Sequence, residues 1–331
     1  MLKFKKGMYY LLLLSMPLFL AGCESKLVVF DPQGPIARSL TDLILFSIIF
    51  MAIIVLVVFL LFGVIVWKYR ARPDNKDYEP PEEKGSHVLE IIWFVIPVLI
   101  VIALMIPTAI TIYEVEDIPE GYEDQDPLVV HVTSADWKWI FSYPEQDIET
   151  VNYLNIPANR AIQFKMTSAG TMQSFWIPSL GGQKYTMANM QTNLFLVADK
   201  PGSYMGRNTS FNGKGYAHME FEVLAQSPSD FDEWVEEVKN TADPLEEEKY
   251  AEILKPGVIG RMTFNNTHLD WIDHAHGGSD QYIDSELYRI THGDEEHEET
   301  DGHEDSENKE DTNEVETEEE ADVHGDSGHD Q

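Results

Sequence analysis

The sequence predicts a two-helix transmembrane hairpin, then an all-β outer sandwich, then a helical extension and a disordered acidic tail. Three observations predict it. Two long apolar runs, 43–67 and 91–112, flank a short loop rich in Lys and Arg. From 126 to 225 the pattern changes to short apolar runs broken by turn residues. From 291 to 331 there are 19 Asp and Glu, with Lys309 the one basic residue apart from histidines.

Composition narrows the function. Lys and Arg total 23 against 57 Asp and Glu, a formal charge of -34. A net acidic surface repels phosphate, which argues against unaided nucleic-acid binding, and no Lys/Arg cluster outside the membrane-flanking segments suggests a local patch. The single cysteine, Cys23, rules out an intrachain disulfide and a cysteine cluster for zinc or iron–sulfur.

The chain opens on a processing segment, residues 1–22. Lys3, Lys5 and Lys6 form a basic end, 9–20 is mostly apolar, and Ala21 and Gly22 precede Cys23. That is the order of a secretory signal. The small residues suit a peptidase, and the thiol suits lipid attachment. The expectation is a bacterial lipoprotein signal, with Cys23 the lipidated first residue of the mature chain. Two acyl chains would anchor it to the outer leaflet.

Residues 23–113 then hold the hairpin, with spans at about 41–67 and 90–112. The stretch 43–67 contains no charged residue and is long enough to cross hydrocarbon. Trp67 and Tyr69 sit at its end, where amphipathic rings prefer the interface. Lys68, Arg70, Arg72, Lys76 and Lys84 place the 68–87 loop in the cytoplasm. The second span carries Pro97 and Pro107, tolerable where neighbouring helices take up the freed backbone groups. The N-terminus and everything past about 113 then lie outside, so signal and hairpin agree on one topology for a bacterial cell membrane. Glu90, at the start of the second span, has two readings. An acid at a helix N-terminus is favourable on dipole grounds alone. It is also placed for a proton entrance.

The outer domain, 114–225, reads as strands. DPLVVHVTSADWKWIFSYPEQ gives two, either side of Asp136 and Trp137. AIQFKMTSA, QTNLFLVAD and AHMEFEVLA give three more, with alternating side chains. Many short strands in about 100 residues fit a sandwich. No dinucleotide fingerprint, P-loop, HExxH or hydrolase motif occurs. The extension, 226–290, begins with acid-rich helices near 229–240 and 244–254. The tail, 291–331, carries His292, His297, His303, His324 and His329. It reads as a solvated polyanion, with weak divalent-metal binding as the alternative.

TSADWKWIFSYPEQ, MQSFWIPSLGGQKYTM and GSYMGRNTSFNGKGYAHM, taken with LEIIW, resemble subunit II of the haem–copper respiratory oxidases, over roughly 23–225. The resemblance implies that the sandwich is a cupredoxin-like Greek key. Members that oxidise cytochrome c carry a dinuclear copper centre there. Its first ligand is a His at the position of Gln173. Its second block supplies Cys at the positions of Asn208 and Asn212, an acidic carbonyl donor at Ser210, a His at Tyr216 and a Met at Met219. Only Met219 keeps its ligand type. His218 is one residue away, and strand alternation would turn it to the other face.

Two coppers that share electron density need bridging thiolates, which Asn and Tyr cannot replace. The expectation is therefore no copper and no other cofactor bound by this chain, with Asn208 and Asn212 hydrogen-bonding in the vacated space. Family members without these ligands are quinol oxidases, and the likeness is to their aa3-type menaquinol group. The resemblance implies a complex that oxidises quinol, reduces dioxygen to water and moves protons, with haems and copper in subunit I. It implies subunit I as partner, with subunits III and IV and membrane lipid, and no cytochrome c. It also places Glu90 near the cytoplasmic mouth of a proton channel in subunit I. Trp137, Trp139, Phe175 and Trp176, donor-docking aromatics in copper-bearing relatives, read here as packing. The alternatives are a cytochrome c oxidase subunit II with unconventional electron input, and a membrane-tethered binding lipoprotein without enzymatic work.

Overall fold

The computed structural model describes residues 27–70 and 85–278. Cys23 and the leader, most of the expected cytoplasmic loop, the end of the extension and the acidic tail lie outside the described residues.

Helix α1 spans Pro35–Tyr69 and helix α2 spans His87–Glu114. Both are long and apolar enough to cross a membrane, and their hydrophobic side chains are exposed along most of their length. A helix apolar all round needs lipid or a protein neighbour to cover it. The α2 helix runs unbroken through Pro97 and Pro107. The α1 helix starts earlier than the expected span, and its first turns do different work. Gly34 is the N-cap, Pro35 follows, and Ile36, Ala37 and Thr41 are buried. The backbone N–H of Gln33 donates to the Ser179 carbonyl (2.8 Å), and that of Asp199 donates to the Gln33 carbonyl (2.9 Å). Arg38 pairs with Asp199. A Cβ on Gly34 would lie 2.2 Å from the Val197 carbonyl oxygen, so only glycine allows this approach. These turns dock the hairpin on the outer domain.

Eleven strands follow among the described residues. They are β1 Leu128–Ala135, β2 Lys138–Tyr143, β3 Ile148–Val151, β4 Tyr153–Pro157, β5 Ile162–Ser168 and β6 Gln173–Trp176, then β7 Lys184–Thr186, β8 Thr192–Leu196, β9 Gly202–Asn208, β10 Glu220–Gln226 and β11 Met262–Phe264. One sheet has the order β11-β3-β2-β1-β5-β8, the other β4-β10-β9-β6-β7. The pairs β1–β5 and β4–β10 are parallel, because the chain crosses between sheets before returning. Leu128, Val130 and Val132 alternate inward from β1 to meet Phe141, Phe164, Phe175 and Phe221. Phe175 stacks on Phe221 at 5.3 Å and meets Trp139 edge-on at 5.3 Å. Aromatic contacts of this kind add about 0.5–1.5 kcal/mol beyond area burial.

The expected strands near 128–143, 162–168 and 192–196 are present. The strand expected across AHMEFEVLA starts only at Glu220, because Tyr216–His218 is a 3-10 turn. Strand β9 was not predicted. Its glycines read as turn residues, yet Gly206 pairs with Phe221 across the sheet, and a Cβ there would lie 2.0 Å from the Phe221 ring. The glycine lets the ring lie flat over the backbone.

The extension is part of the domain. Helix α3, Pro228–Thr241, is capped by Ser227, whose Oγ accepts from the Asp230 N–H (3.2 Å). Its Phe231 and Val238 enter the main core. Strand β11 extends the first sheet at its β3 edge, and helix α4, Glu247–Leu254, covers the outer face, where Tyr250, Leu254 and Phe264 pack with Ala135, Ile140 and Val151. Consequently every residue of β2 is buried.

Candidate functional site

The β9–β10 connection folds back on the start of β6 and on Asp136, in the β1–β2 turn. Four of the six copper-position residues converge there. Asn208 ends β9 and is 2% exposed; its Oδ1 accepts from the N–H groups of Ser174 (3.0 Å) and Ser210 (2.9 Å). Its Nδ2 donates to Met219 Sδ (3.5 Å), and Asn212 Nδ2 lies 3.7 Å from the same sulfur. Gln173, at the start of β6, donates from Nε2 to Asp136 Oδ1 (3.0 Å), and Asn212 Nδ2 reaches that oxygen at 3.5 Å. Ser210 joins only through its backbone. Tyr216 stands apart, its ring 5.6 Å from the exposed Phe211.

His218 and Met219 do diverge, but for a different reason from the expected one. His218 closes the 3-10 turn and is exposed, while Met219, past the turn, is buried against Asn208. Strand alternation plays no part.

Sequence reasoning missed the centre of the network, Asp136. Its Oδ1 accepts from Thr171 Oγ1 (2.7 Å) as well as from the two amides. Burial pushes its carboxyl pKa up, opposed by the Thr171 bond, the Lys138 charge and the two amide bonds. Because a carboxylate oxygen only accepts, it fixes both amides with their NH2 groups toward it. Their oxygens, Gln173 Oε1 and Asn212 Oδ1, are left buried without a hydrogen bond among the described residues. Lys138, wholly buried, donates to the carbonyls of Asp136 and Lys255 (2.7 Å each). Burial pulls its pKa down to about 8, against the pull of Asp136. Within DWKW these residues look like a polar turn, and the only available signal was a charge on either side of a tryptophan.

The donor set does not fit a dinuclear copper centre. It offers amides and one thioether, with both Asn NH2 groups directed at the thioether sulfur, where bridging thiolates are needed. Among the described residues no three His, Cys, Asp or Glu side chains are grouped to hold a metal. The named aromatics pack. Trp139 and Phe175 are in the core, Trp176 Nε1 donates to the Gly181 carbonyl (3.0 Å), and Trp137 Nε1 donates to the Asn212 carbonyl (2.9 Å). Trp137 covers Gly215, where a Cβ would lie 2.2 Å from its ring. Glu90 is exposed in the first turn of α2, with Oε2 3.3 Å from His87 Nδ1.

Comparison with known proteins follows the same division of the chain. Residues 23–109 match the family described as cytochrome C oxidase subunit II, transmembrane domain. The chain is 54% identical over 279 residues to quinol oxidase subunit 2 of Bacillus anthracis, covering 84% of this chain and 95% of the relative. It is 52% identical over 272 residues to quinol oxidase subunit 2 of Bacillus subtilis (strain 168), covering 82% of this chain and 84% of that one. A probable quinol oxidase subunit 2 of Staphylococcus epidermidis is 45% identical over 276 residues, covering 83% and 71%.

Proposed function

The chain belongs to the quinol oxidase subunit II family, and from that membership we propose that it is the non-catalytic second subunit of a respiratory quinol:oxygen oxidoreductase. The complex takes electrons from quinol, reduces dioxygen to water and contributes to a proton gradient. Haems and copper belong to subunit I, and this chain assembles with it and caps it. The hairpin packs on subunit I within the membrane, and the outer domain, joined to the start of α1 through Gln33, Gly34 and Arg38, sits over it. Subunits III and IV and membrane lipid complete the surroundings.

The observation that carries the donor assignment is the network around Asp136. Amide NH2 groups and a carboxylate fill the place where a relay from a soluble donor would need thiolates. Electrons then come from a reductant dissolved in the membrane, and cytochrome c has no route in. The sequence pattern supports lipidation at Cys23, an outer N-terminus and C-terminal domain, and a cytoplasmic 68–87 loop. It also supports Glu90 at the mouth of a proton path in subunit I.

The test is a donor assay on the purified complex. Quinol should support oxygen uptake and reduced cytochrome c should not. A chain that never co-purifies with a haem-bearing partner overturns the assembly. A paired-copper spectrum from the outer domain, with electrons accepted from cytochrome c, overturns the donor assignment.

A further inference from the structure

The chain makes an apolar turn before its first long helix. Val28–Phe30 is a 3-10 turn, and Leu27, Val28 and Phe30 are 66%, 44% and 42% exposed. Outside the two long helices, the other exposed large apolar side chains among the described residues are at least five positions apart. Single exposed side chains of that kind are ordinary, whereas a contiguous group marks a contact surface.

Helix α1 fixes the height of this turn. The charge-free run begins at Leu43, eight residues past Pro35 and so about 12 Å down the helix axis. The outer domain holds the top of the helix, at Gly34 and at Ile36, which lies against Gly181. The chain before Gly34 runs beside the helix, and the Val29 carbonyl accepts from Thr41 Oγ1 (2.7 Å). Thr41 is buried two residues before the charge-free run. The turn therefore sits at the level where α1 enters hydrocarbon. Its backbone suits that level. The Leu27 carbonyl accepts from the Phe30 N–H (2.8 Å) and the Val28 carbonyl from the Asp31 N–H (3.1 Å). With Val29 bonded to Thr41, three consecutive carbonyls are paired, and an unpaired one is costly in an apolar medium. The hairpin's aromatic residues complete the pattern. Trp67 and Tyr69 close α1 at its inner end, and the exposed Tyr113 closes α2 at its outer end. From Pro35 to Leu45 α1 has no aromatic residue, and Phe30 supplies a ring at that corner.

We propose that the 27–30 turn is a membrane-surface anchor, in which Leu27, Val28 and Phe30 enter the outer leaflet where headgroups meet acyl chains. The partner is lipid, continuous with the lipid around α1. Asp31 follows directly and is exposed, and Asp42 is exposed at the same level. Their charges hold the turn at the headgroup boundary and keep it out of the bilayer core. With its upper end fixed to the outer domain through Gln33 and Gly34, the turn sets the height of that domain over the bilayer. This anchor presupposes that the hairpin spans the membrane. It is independent of the electron donor and of acylation at Cys23.

The experiment places nitroxide spin labels at Val28→Cys and Phe30→Cys in the full-length chain. Each is reconstituted, alone and with its oxidase partners, in vesicles of phosphatidylethanolamine and phosphatidylglycerol. Collision with oxygen, which partitions into lipid, is compared with collision with a nickel chelate, which stays in water. Phe211→Cys, exposed on the outer domain, is the water reference, and Leu56→Cys, exposed on α1, is the hydrocarbon reference in the chain alone. The unsubstituted chain is the blank for Cys23. Both labels should favour oxygen over nickel, at a depth of about 5–10 Å into the headgroup–acyl boundary, in the chain alone and in the complex. Labels at 28 and 30 that match the Phe211→Cys label overturn the anchor. Labels reached by neither reagent in the complex also overturn it, and assign the turn to a partner protein. A Leu56→Cys label that reads water overturns the membrane-spanning hairpin itself, which separates that failure from failure of the anchor alone.

Discussion

Mild acid should weaken the C-terminal lobe, and His274 sets the size of the effect. Its side chain is 2% exposed, with Nε2 2.9 Å from Tyr250 Oη. Its carbonyl accepts from Thr167 Oγ1 (3.1 Å) and the Asn189 N–H (3.0 Å), which ties the 268–278 segment to the sheet. Burial, then the charge of His268, lowers its pKa from 6.5 to about 3, against the pull of Asp273. The folded chain therefore refuses a proton that the unfolded chain accepts below pH 6.5. This contribution is fully present above about pH 6.5 and is lost as pH falls toward about 3. Each unit is worth about 1.4 kcal/mol, so at pH 5 the loss is about 2 kcal/mol, a large share of a typical domain's stability. His131, with a pKa of about 4, acts in the same direction, and its partial exposure makes its share smaller.

The assay is urea unfolding of the full chain in detergent at pH 7.5 and pH 5, followed by tryptophan fluorescence. Trp271 packs in the lobe's own cluster and Trp234 in the main core, so the two regions have separate reporters. In His274→Gln an amide can still meet Tyr250 Oη but takes up no proton. That variant should lose about 2 kcal/mol less than wild type between the two pH values. An equal loss in both proteins would refute the argument.

Removing the Asp136 carboxylate should cost about 3 kcal/mol in the same unfolding assay, because Asp136→Ala strands donors from Thr171, Gln173 and Asn212 together. Asp136→Asn keeps an accepting oxygen and should cost less. Gly206→Ala drives a methyl into the Phe221 ring and should destabilise by about 1–3 kcal/mol, with partial relief from Phe221→Leu in the same chain. Glu90→Gln should slow proton-dependent turnover of the assembled complex without reducing its yield, since the Glu90 side chain is exposed and, among the described residues, meets His87 alone; unchanged turnover removes the proton-path assignment.

The residues that were legible in the sequence are those whose environment is set by near neighbours. Both membrane-type helices declare themselves because every face of 43–67 and 91–112 is apolar, whatever they pack against. Strands β1 and β5 are legible because Val130–His131–Val132 and Phe164–Lys165–Met166 alternate across one half-buried sheet. Strand β9 fails that test because Gly206 has no side chain to alternate, and its reason for being glycine is Phe221 on another strand. Strand β2 is buried throughout because α4 and the segments after it cover its second face, which the local pattern of KWIFSY does not reveal.

The two polar sites divide in the same way. The copper-position residues were found because the resemblance fixes their places in MQSFW and in the β9–β10 loop. Asp136 was not found, because its burial and its three donors come from segments 35 to 76 residues away. The Glu149–His268 pair joins residues 119 apart in the chain, and the facing of Lys165 with His131 depends on a parallel register that the β1-to-β5 crossover alone establishes. Local patterning identifies which side chains leave the core. Which of them then meet is decided by topology, and that is why the Asp136 network and the Glu149–His268 pair could be seen only in the folded chain.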